Sequence, residues 1–382
     1  MGCYAQKVRR TFIDMRNVLI SGASIAGPAL AFWLNRHGYT TTIVERAPGI
    51  RPGGQAVDVR GTALTVIERM GLMRELREAA VHMEGMSFVD GEGAELFRDT
   101  SATLTGGVID NPDIEILRDD LAGILYEATR GSTRYLFDDT ITAIDAETGH
   151  VTFEKHAPES FDLIVGADGM HSTVRRLAFG PEQRYLHHLD TYLAVFSTPN
   201  FLGLDNWQTF HRHDDRMCGL YTVRGNREAR AVMGFFSPPL GLDHRDTETP
   251  KRLLEERFAA DGWVVPRLLE EMRAATDFHF DAMAQIRMDS WSTGRVTLIG
   301  DAGYCGSPLS GQGTSMALVG AYVLAGELAA GEGLAGYEKV MRPFSEANQD
   351  FALRMNVWQR NQEGAPPSVD EVSALITLND YV

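Results

Sequence analysis

A glycine-bracketed turn, Gly22-Ala23-Ser24-Ile25-Ala26-Gly27, lies between an apolar run at 17–20 and a helical apolar pattern at 28–37. Between strand and helix, a first glycine allows the sharp turn. A small middle residue lets a pyrophosphate approach the backbone, and a last glycine lets the helix pack on the strand. The helix start then offers unpaired N–H groups and the positive end of its dipole to phosphate oxygens. Ser24 takes the middle position, where glycine is usual; its side chain is small and can donate to phosphate. Glu45 follows 23 residues after Gly22, where a carboxylate would accept ribose hydroxyls. Bare βαβ turns without nucleotide share these features, so the turn alone leaves that alternative open.

Two further groups sharpen the reading. Asp301 follows the apolar run 296–299, which places a carboxylate at a strand's C-terminal end, where α/β sheets present ligand groups. Beyond it, Pro308 and Gly311-Gln312-Gly313 open another helix, whose amides would stabilise developing negative charge. Asp168-Gly169 with Arg175 and Arg176 follows the run 161–165; a simple turn with a solvated arginine is the alternative there.

These groups need strands and helices to hold them. The runs 17–20, 41–44, 161–165 and 296–299 read as strands of a parallel sheet, with helices at 28–37 and about 314–330. Pro28 suits the first turn of its helix and Gly38 its end. Residues 185–239 are rich in aromatic and β-branched types and read as an antiparallel sheet. Phe344, Phe351 and Trp358 recur every seven residues, the stripe of a long amphipathic helix at 337–362. The expected fold is α/β: a Rossmann-like domain (15–75, 100–178 and 285–335) interleaved with an antiparallel-sheet substrate domain (76–99 and 179–284), then a C-terminal helix and tail (336–382).

Composition narrows the function classes. The 382 residues carry a net charge of −16, which repels a phosphate backbone and argues against nucleic acid as the main partner. Cys3, Cys218 and Cys305 are too few and scattered for a disulfide framework or a CxxC metal site, and fit reduced thiols in a cytoplasmic protein. The histidines show no metal-ligand spacing, so no metal is expected. No apolar run spans a membrane; the nearest, 316–330, is broken by Glu327. Residues 1–14 lack the apolar core of a signal peptide, Gln6 argues against myristoylation, and Met15 would also serve as a start.

With these motifs in order, the sequence resembles the group A flavin monooxygenases of the para-hydroxybenzoate hydroxylase fold. Within them it is most similar to the branch of tetracycline-inactivating monooxygenases and actinobacterial polyketide hydroxylases. The resemblance runs from about Asn17 to the C-terminal helix and implies an FAD cofactor. Gly22, Ser24, Ile25, Ala26 and Gly27 would cradle its pyrophosphate, Glu45 its adenosine ribose, with Arg46 beside it. Arg118 matches the family arginine that contacts the cofactor. The loop from Gly53 through Gln55 to Asp58 would flank the isoalloxazine, and Asp301 would hold the ribityl–pyrophosphate region. Asp168 would support the fold while lining the nicotinamide approach. Pro308, Gly311, Gln312 and Gly313 would line the flavin ring, Pro308, Gly311 and Gly313 forming the catalytic wall.

The activity so implied is NAD(P)H- and O2-dependent hydroxylation of an electron-rich aromatic or polyketide-type small molecule through a flavin C4a-hydroperoxide, in antibiotic biosynthesis or inactivation. NADPH or NADH would act as transient reductant, since no second dinucleotide fingerprint is present. Baeyer–Villiger insertion shares every motif and stays open, as does a flavin-binding protein without turnover. Halogenation is disfavoured, because Trp207, Trp263 and Trp291 form no WxWxIP pair. Tyr192, His211, Arg216 and Tyr221 fall on expected strands of the second sheet and are the substrate candidates; a surface arginine, core tyrosines and an ordinary histidine are the alternative readings. No residue stands out as a base.

Overall fold

The apolar run Asn17–Ser21 forms the middle of a six-stranded sheet in the computed structural model, which describes residues 16–381. Expectations about residues 1–14, Cys3 and Met15 lie outside the described residues. The strand order is Ser292–Thr293, Val296–Leu298, Leu163–Gly166, Asn17–Ser21, Thr40–Glu45, Thr133–Phe137. All neighbours are parallel except the first pair. Chain order therefore reverses direction between Asn17–Ser21 and Leu163–Gly166. At such a switch point the connecting segments leave toward opposite faces and a crevice opens beyond the strand ends. The helix Ala26–Arg36 covers one face with Ala29, Leu30, Trp33 and Leu34 buried. The helix Gly313–Ala329 packs beside it and is buried over nearly its whole length, which suits its run of small and apolar residues.

A second sheet of seven strands runs in the order His279–Ile286, Leu186–Pro199, Glu228–Phe236, Arg216–Val223, Trp207–His213, Gly85–Val89, Glu95–Asp99. It is antiparallel except where Gly85–Val89 runs parallel to Trp207–His213. Because side chains alternate across a strand, its two faces have different neighbours. One carries Tyr192, Ala194, Phe196, Cys218 and Leu220 against the helices Glu248–Phe258 and Val265–Ala274, through Leu254, Phe258, Leu268 and Met272. The other carries Val195, Phe210, Tyr221, Val223 and Val232 against Ala56 and Leu117 of the two-stranded ribbon Ala56–Val59 and Ile114–Leu117, which belongs to the first lobe. The molecule is thus a Rossmann-like α/β lobe interleaved with a largely antiparallel one.

The helix Gly333–Asn361 runs 29 residues with Pro343 inside it. It buries Tyr337, Met341, Phe344 and Phe351, while Trp358 is half-buried and donates to the Gly364 carbonyl at 3.1 Å. Among the described residues no helix is long and apolar enough to cross a membrane.

Candidate functional site

Three turns meet at the switch point. In the first, Gly22 has φ of +109°, and a Cβ there would stand 2.5 Å from the Ala167 carbonyl oxygen. A Cβ on Gly27 would stand 2.0 Å from the Gly22 oxygen. Both glycines are sterically required, one for strand-to-strand turn contact and one for helix-on-turn packing. Ser24 is under no such constraint. It lines a cleft with Glu45, Arg51 and Arg118, and its hydroxyl accepts from Arg118 Nη1 at 3.2 Å. Glu45 is fixed by two backbone donors: Ala23 N–H to Oε2 at 2.9 Å and Ala47 N–H to Oε1 at 3.0 Å. Each carboxylate oxygen keeps lone pairs for a ligand. Ile25 and Ala26 supply only the helix start, and Arg46 is exposed.

The loop 53–56 is gripped from both lobes. Gly53 donates to Asp119 at 2.9 Å and accepts from Arg118 Nη2 at 3.0 Å. Gly54 accepts from Arg230 Nε at 3.0 Å, and Ala56 donates to the Tyr221 hydroxyl at 2.9 Å. Gln55 takes part through its carbonyl, which accepts from Arg118 N–H at 3.1 Å. Arg118 thus ties this loop to Ser24.

Asp58 corrects an expectation. Its carboxylate pairs with Arg60 at 2.8 Å rather than facing the cleft. It lies opposite Glu115 in the ribbon register, and Arg60 also meets Asp113 at 3.2 Å. Burial, opposed by Arg60, pushes Asp58 up to about 6, and burial together with Asp58 pushes Glu115 up to about 8. Glu115 therefore keeps its proton at neutral pH, which relieves three carboxylates facing one arginine.

Asp168 is likewise a structural residue. It accepts from the Ser21 hydroxyl at 3.3 Å, the Ser172 hydroxyl, and the Thr173 and Val174 amides at 2.8 and 3.2 Å. It binds the first two amides of the helix Thr173–Ala178, whose N-cap is Ser172, and fastens that helix to the first strand, the fold-supporting part of its expected role. Arg175 is fully buried, not solvated; it donates to the Ala302 carbonyl at 2.9 Å and pairs with Glu182 at 2.8 Å, bracing the Asp301 turn. Next to Asp168, His171 holds Glu182 at 2.9 Å and Asp281 at 3.1 Å and stacks on His244, ring centres 4.1 Å apart. Burial opposes its charge, but the two carboxylates prevail and lift it to about 9.

Asp301 begins a four-residue helix, Asp301–Tyr304. Its side chain is open to solvent although protein surrounds it closely enough for desolvation to raise its pKa. Pro308, also accessible, starts the short turn Pro308–Ser310, and Gly311 follows at φ +60°. The expectation for the amides is narrowed here. Gly311 N–H is bound to the Pro308 carbonyl at 3.0 Å and Gln312 N–H to Ser310 Oγ at 3.2 Å. Gly313, first residue of its helix, has no such partner among the described residues. A Cβ on it would stand 3.9 Å from Asp301 Oδ1, so the carboxylate and the helix start face the same space. Gln312 is fully buried with both amide atoms unpaired, a costly arrangement that a ligand would relieve.

The four substrate candidates are not brought together. Tyr192, His211 and Arg216 lie on the helix-covered face, one alternation away from the first lobe. Tyr192 stacks on Phe235 and Phe280 and its hydroxyl accepts from Leu240 N–H at 2.8 Å. His211 faces the Val89 carbonyl at 3.0 Å, and Arg216 grips Asp261 at 2.8 Å. Tyr221 faces the first lobe but is held by Ala56. What the sequence reading missed is the polar row to which Tyr221 belongs. Ser197, Arg230, Tyr221 and Gln208 are register partners across four strands and reach Asp277, Gly54, Ala56 and Thr105 respectively. Period-2 counting from a correctly assigned lobe-facing residue would have found it. No cluster able to hold a metal exists among the described residues.

Residues 15–354 match the family model described as FAD binding domain. The chain is 54% identical over 377 residues to the uncharacterized protein Rv1260 of Mycobacterium tuberculosis, covering 96% of this chain and 100% of that one. It is 38% identical to a flavin-dependent monooxygenase of Legionella longbeachae, over 88% and 87% of the two chains. The crystal structure of tetracycline destructase Tet(51) superposes with a TM-score of 0.86 at 34% identity, covering 96% of this chain and 100% of that one.

Proposed function

The chain belongs to the FAD-binding-domain family and is an FAD-dependent monooxygenase, and from that premise we propose that it hydroxylates an electron-rich phenol or enol of a polycyclic, polyketide-type compound. The proposed reductant is NADPH or NADH and the oxidant is O2. The observation that carries this reading is a cleft lined by Ala23 and Ser24 of the glycine turn with Glu45 and Arg118, beside which the Gly300–Asp301 turn packs on Ala26 and faces the Gly313 helix start. Its residues fit the cofactor: Glu45 has free acceptor capacity for a ribose, and Gln312 lies buried with an unpartnered amide.

When bound, FAD supplies hydride acceptance from a nicotinamide and activation of O2. The chain's residues do the rest. The glycine turn and Arg118 hold phosphate oxygens, and Glu45 orients the adenosine end. The Gly313 helix start, with its dipole, would stabilise negative charge on the group it faces. The loop 53–56, gripped by Arg230 and Tyr221, keeps the two lobes in register and helps exclude water, which protects reactive species from solvent. The polycyclic substrate class rests on similarity to a tetracycline destructase over nearly the whole chain.

The test is direct. Purified holoenzyme is reduced anaerobically with NADPH or NADH and then exposed to 18O2 with a panel of phenolic polyketides that includes tetracycline. The expected result is one labelled oxygen in a product and faster NAD(P)H loss with that compound. A ring-expanded ester or lactone in place of a hydroxylated product would convert the reading to Baeyer–Villiger insertion. Absence of label from every compound, with full flavin reduction, would refute it.

A further inference from the structure

The edge strand His279–Ile286 faces the cofactor lobe with alternate residues. His279 pairs with Val195 and Asp281 with Leu193, and both partners lie on the lobe-facing side of the sheet. On one flank, Asp277 accepts from Ser197 N–H at 3.0 Å and touches the Gly53 turn so closely that a Cβ on Gly53 would lie 2.4 Å from it. On the other flank, Asp281 accepts from His171 at 3.1 Å. These two anchors, Asp277 just before the strand and Asp281 within it, stand two residues either side of His279 and bracket it between the Gly53 loop and the turn after Asp168. His279 is exposed and forms no hydrogen bond among the described residues. Arg51 and Arg118, which line the cleft with Ser24, lie within Coulombic range of it.

We propose that His279 reaches from the substrate lobe across the cofactor cleft and, when protonated, binds the diphosphate of a dinucleotide. The inference deepens the reading above and rests on it. The diphosphate belongs either to FAD or to the incoming nicotinamide dinucleotide, since both carry the same chemistry. A residue from the second lobe that binds it makes lobe closure and dinucleotide retention one event.

The charge balance gives this residue a signature. Although part of its surface is exposed, the protein packed around His279 desolvates the ring and holds it below its ordinary value of 6.5, opposed by Asp281 and aided by Arg118, Arg51 and His171. His171 stays protonated to about 9 and so keeps its charge beside Asp281 throughout the pH range of the test below. An adjacent diphosphate favours the imidazolium, so binding takes up a proton and strengthens as pH falls.

The experiment has two arms, each run for wild type, His279→Gln and His279→Ala at pH 5.5, 6.5 and 7.5. In one, apoprotein is titrated with FAD and flavin fluorescence is followed. In the other, FAD-saturated enzyme is mixed anaerobically with NADPH or NADH, and the concentration dependence of flavin reduction gives the nicotinamide Kd. Loss of one charge-assisted hydrogen bond weakens the relevant dinucleotide about tenfold at pH 5.5, and the two variants lose the pH dependence. The affected arm identifies which dinucleotide is bound. Failure of wild-type apoprotein to take up FAD removes the underlying reading. Wild type that binds both dinucleotides, with variants equal to it in both arms, overturns the inference alone. Should a variant misfold, calorimetry of wild type in two buffers decides: no proton uptake with either dinucleotide overturns it.

Discussion

Replacing Glu45 with alanine is the sharpest perturbation of the cofactor site. Its oxygens accept from the Ala23 and Ala47 amides at 2.9 and 3.0 Å, which fixes the orientation of the carboxylate. A neutral donor to a charged acceptor contributes about 1.5–3 kcal/mol. Two ribose hydroxyls, with the loss of the two amide contacts partly cancelling between free and bound states, put the cost in affinity at about 3 kcal/mol. That is roughly 150-fold in Kd. Glu45→Gln keeps one acceptor but turns its amide hydrogens toward a backbone N–H, so a loss of at least about tenfold is expected there too. The assay is titration of apoprotein with FAD, with circular dichroism showing that the fold persists. A Glu45→Ala protein that binds FAD within threefold of wild type would refute the assignment of the carboxylate to the ribose.

Three other outcomes follow from the geometry. Gly27→Ala would place a Cβ 2.0 Å from the Gly22 oxygen, so the turn must move; the variant is expected to purify colourless and to lose about 3 kcal/mol or more of stability, read from denaturant midpoints. Gln312→Met removes a buried unpaired amide with little change in volume, so the apoprotein should gain about 1 kcal/mol while FAD affinity falls; thermal midpoints with and without FAD test this, and a drop in apoprotein stability counts against a ligand-facing Gln312. His171, lifted to about 9, contributes stability that is complete below its ordinary 6.5 and is lost as pH rises through 9; the contribution is at most roughly 3 kcal/mol. Unfolding free energy should therefore decline between pH 7 and 9, and His171→Gln should flatten that slope.

The chemistry of the cofactor lobe was legible because it depends on local spacing. A strand, a glycine turn, a helix start and a carboxylate at the next strand's end are adjacent in the chain, so the places of Gly22, Gly27, Glu45 and Asp301 in the fold could be read from their neighbours. Even there, local reading stops at hydrogen-bond direction. Nothing near Asp168 reveals that Ser21, some 147 residues earlier, would help occupy its carboxylate. Nothing near Asp58 tells that Arg60 and Glu115 would draw it away from the cleft.

The substrate lobe shows the opposite case. Its strands were apparent from their residue types, but which alternate face meets the cofactor lobe is set by pairing between strands far apart in sequence. Without that pairing the sequence could not separate Tyr192, His211 and Arg216, which the sheet turns toward its covering helices, from Tyr221, or single out Arg230, Gln208 and His279 on the face toward the first lobe. By itself, the amino-acid order determined the class of ligand, through turns whose sterics admit only glycine and whose helix starts attract phosphate. Only tertiary packing decided which polar side chains face that ligand, because side-chain direction in a sheet is a property of register, and register is a long-range contact.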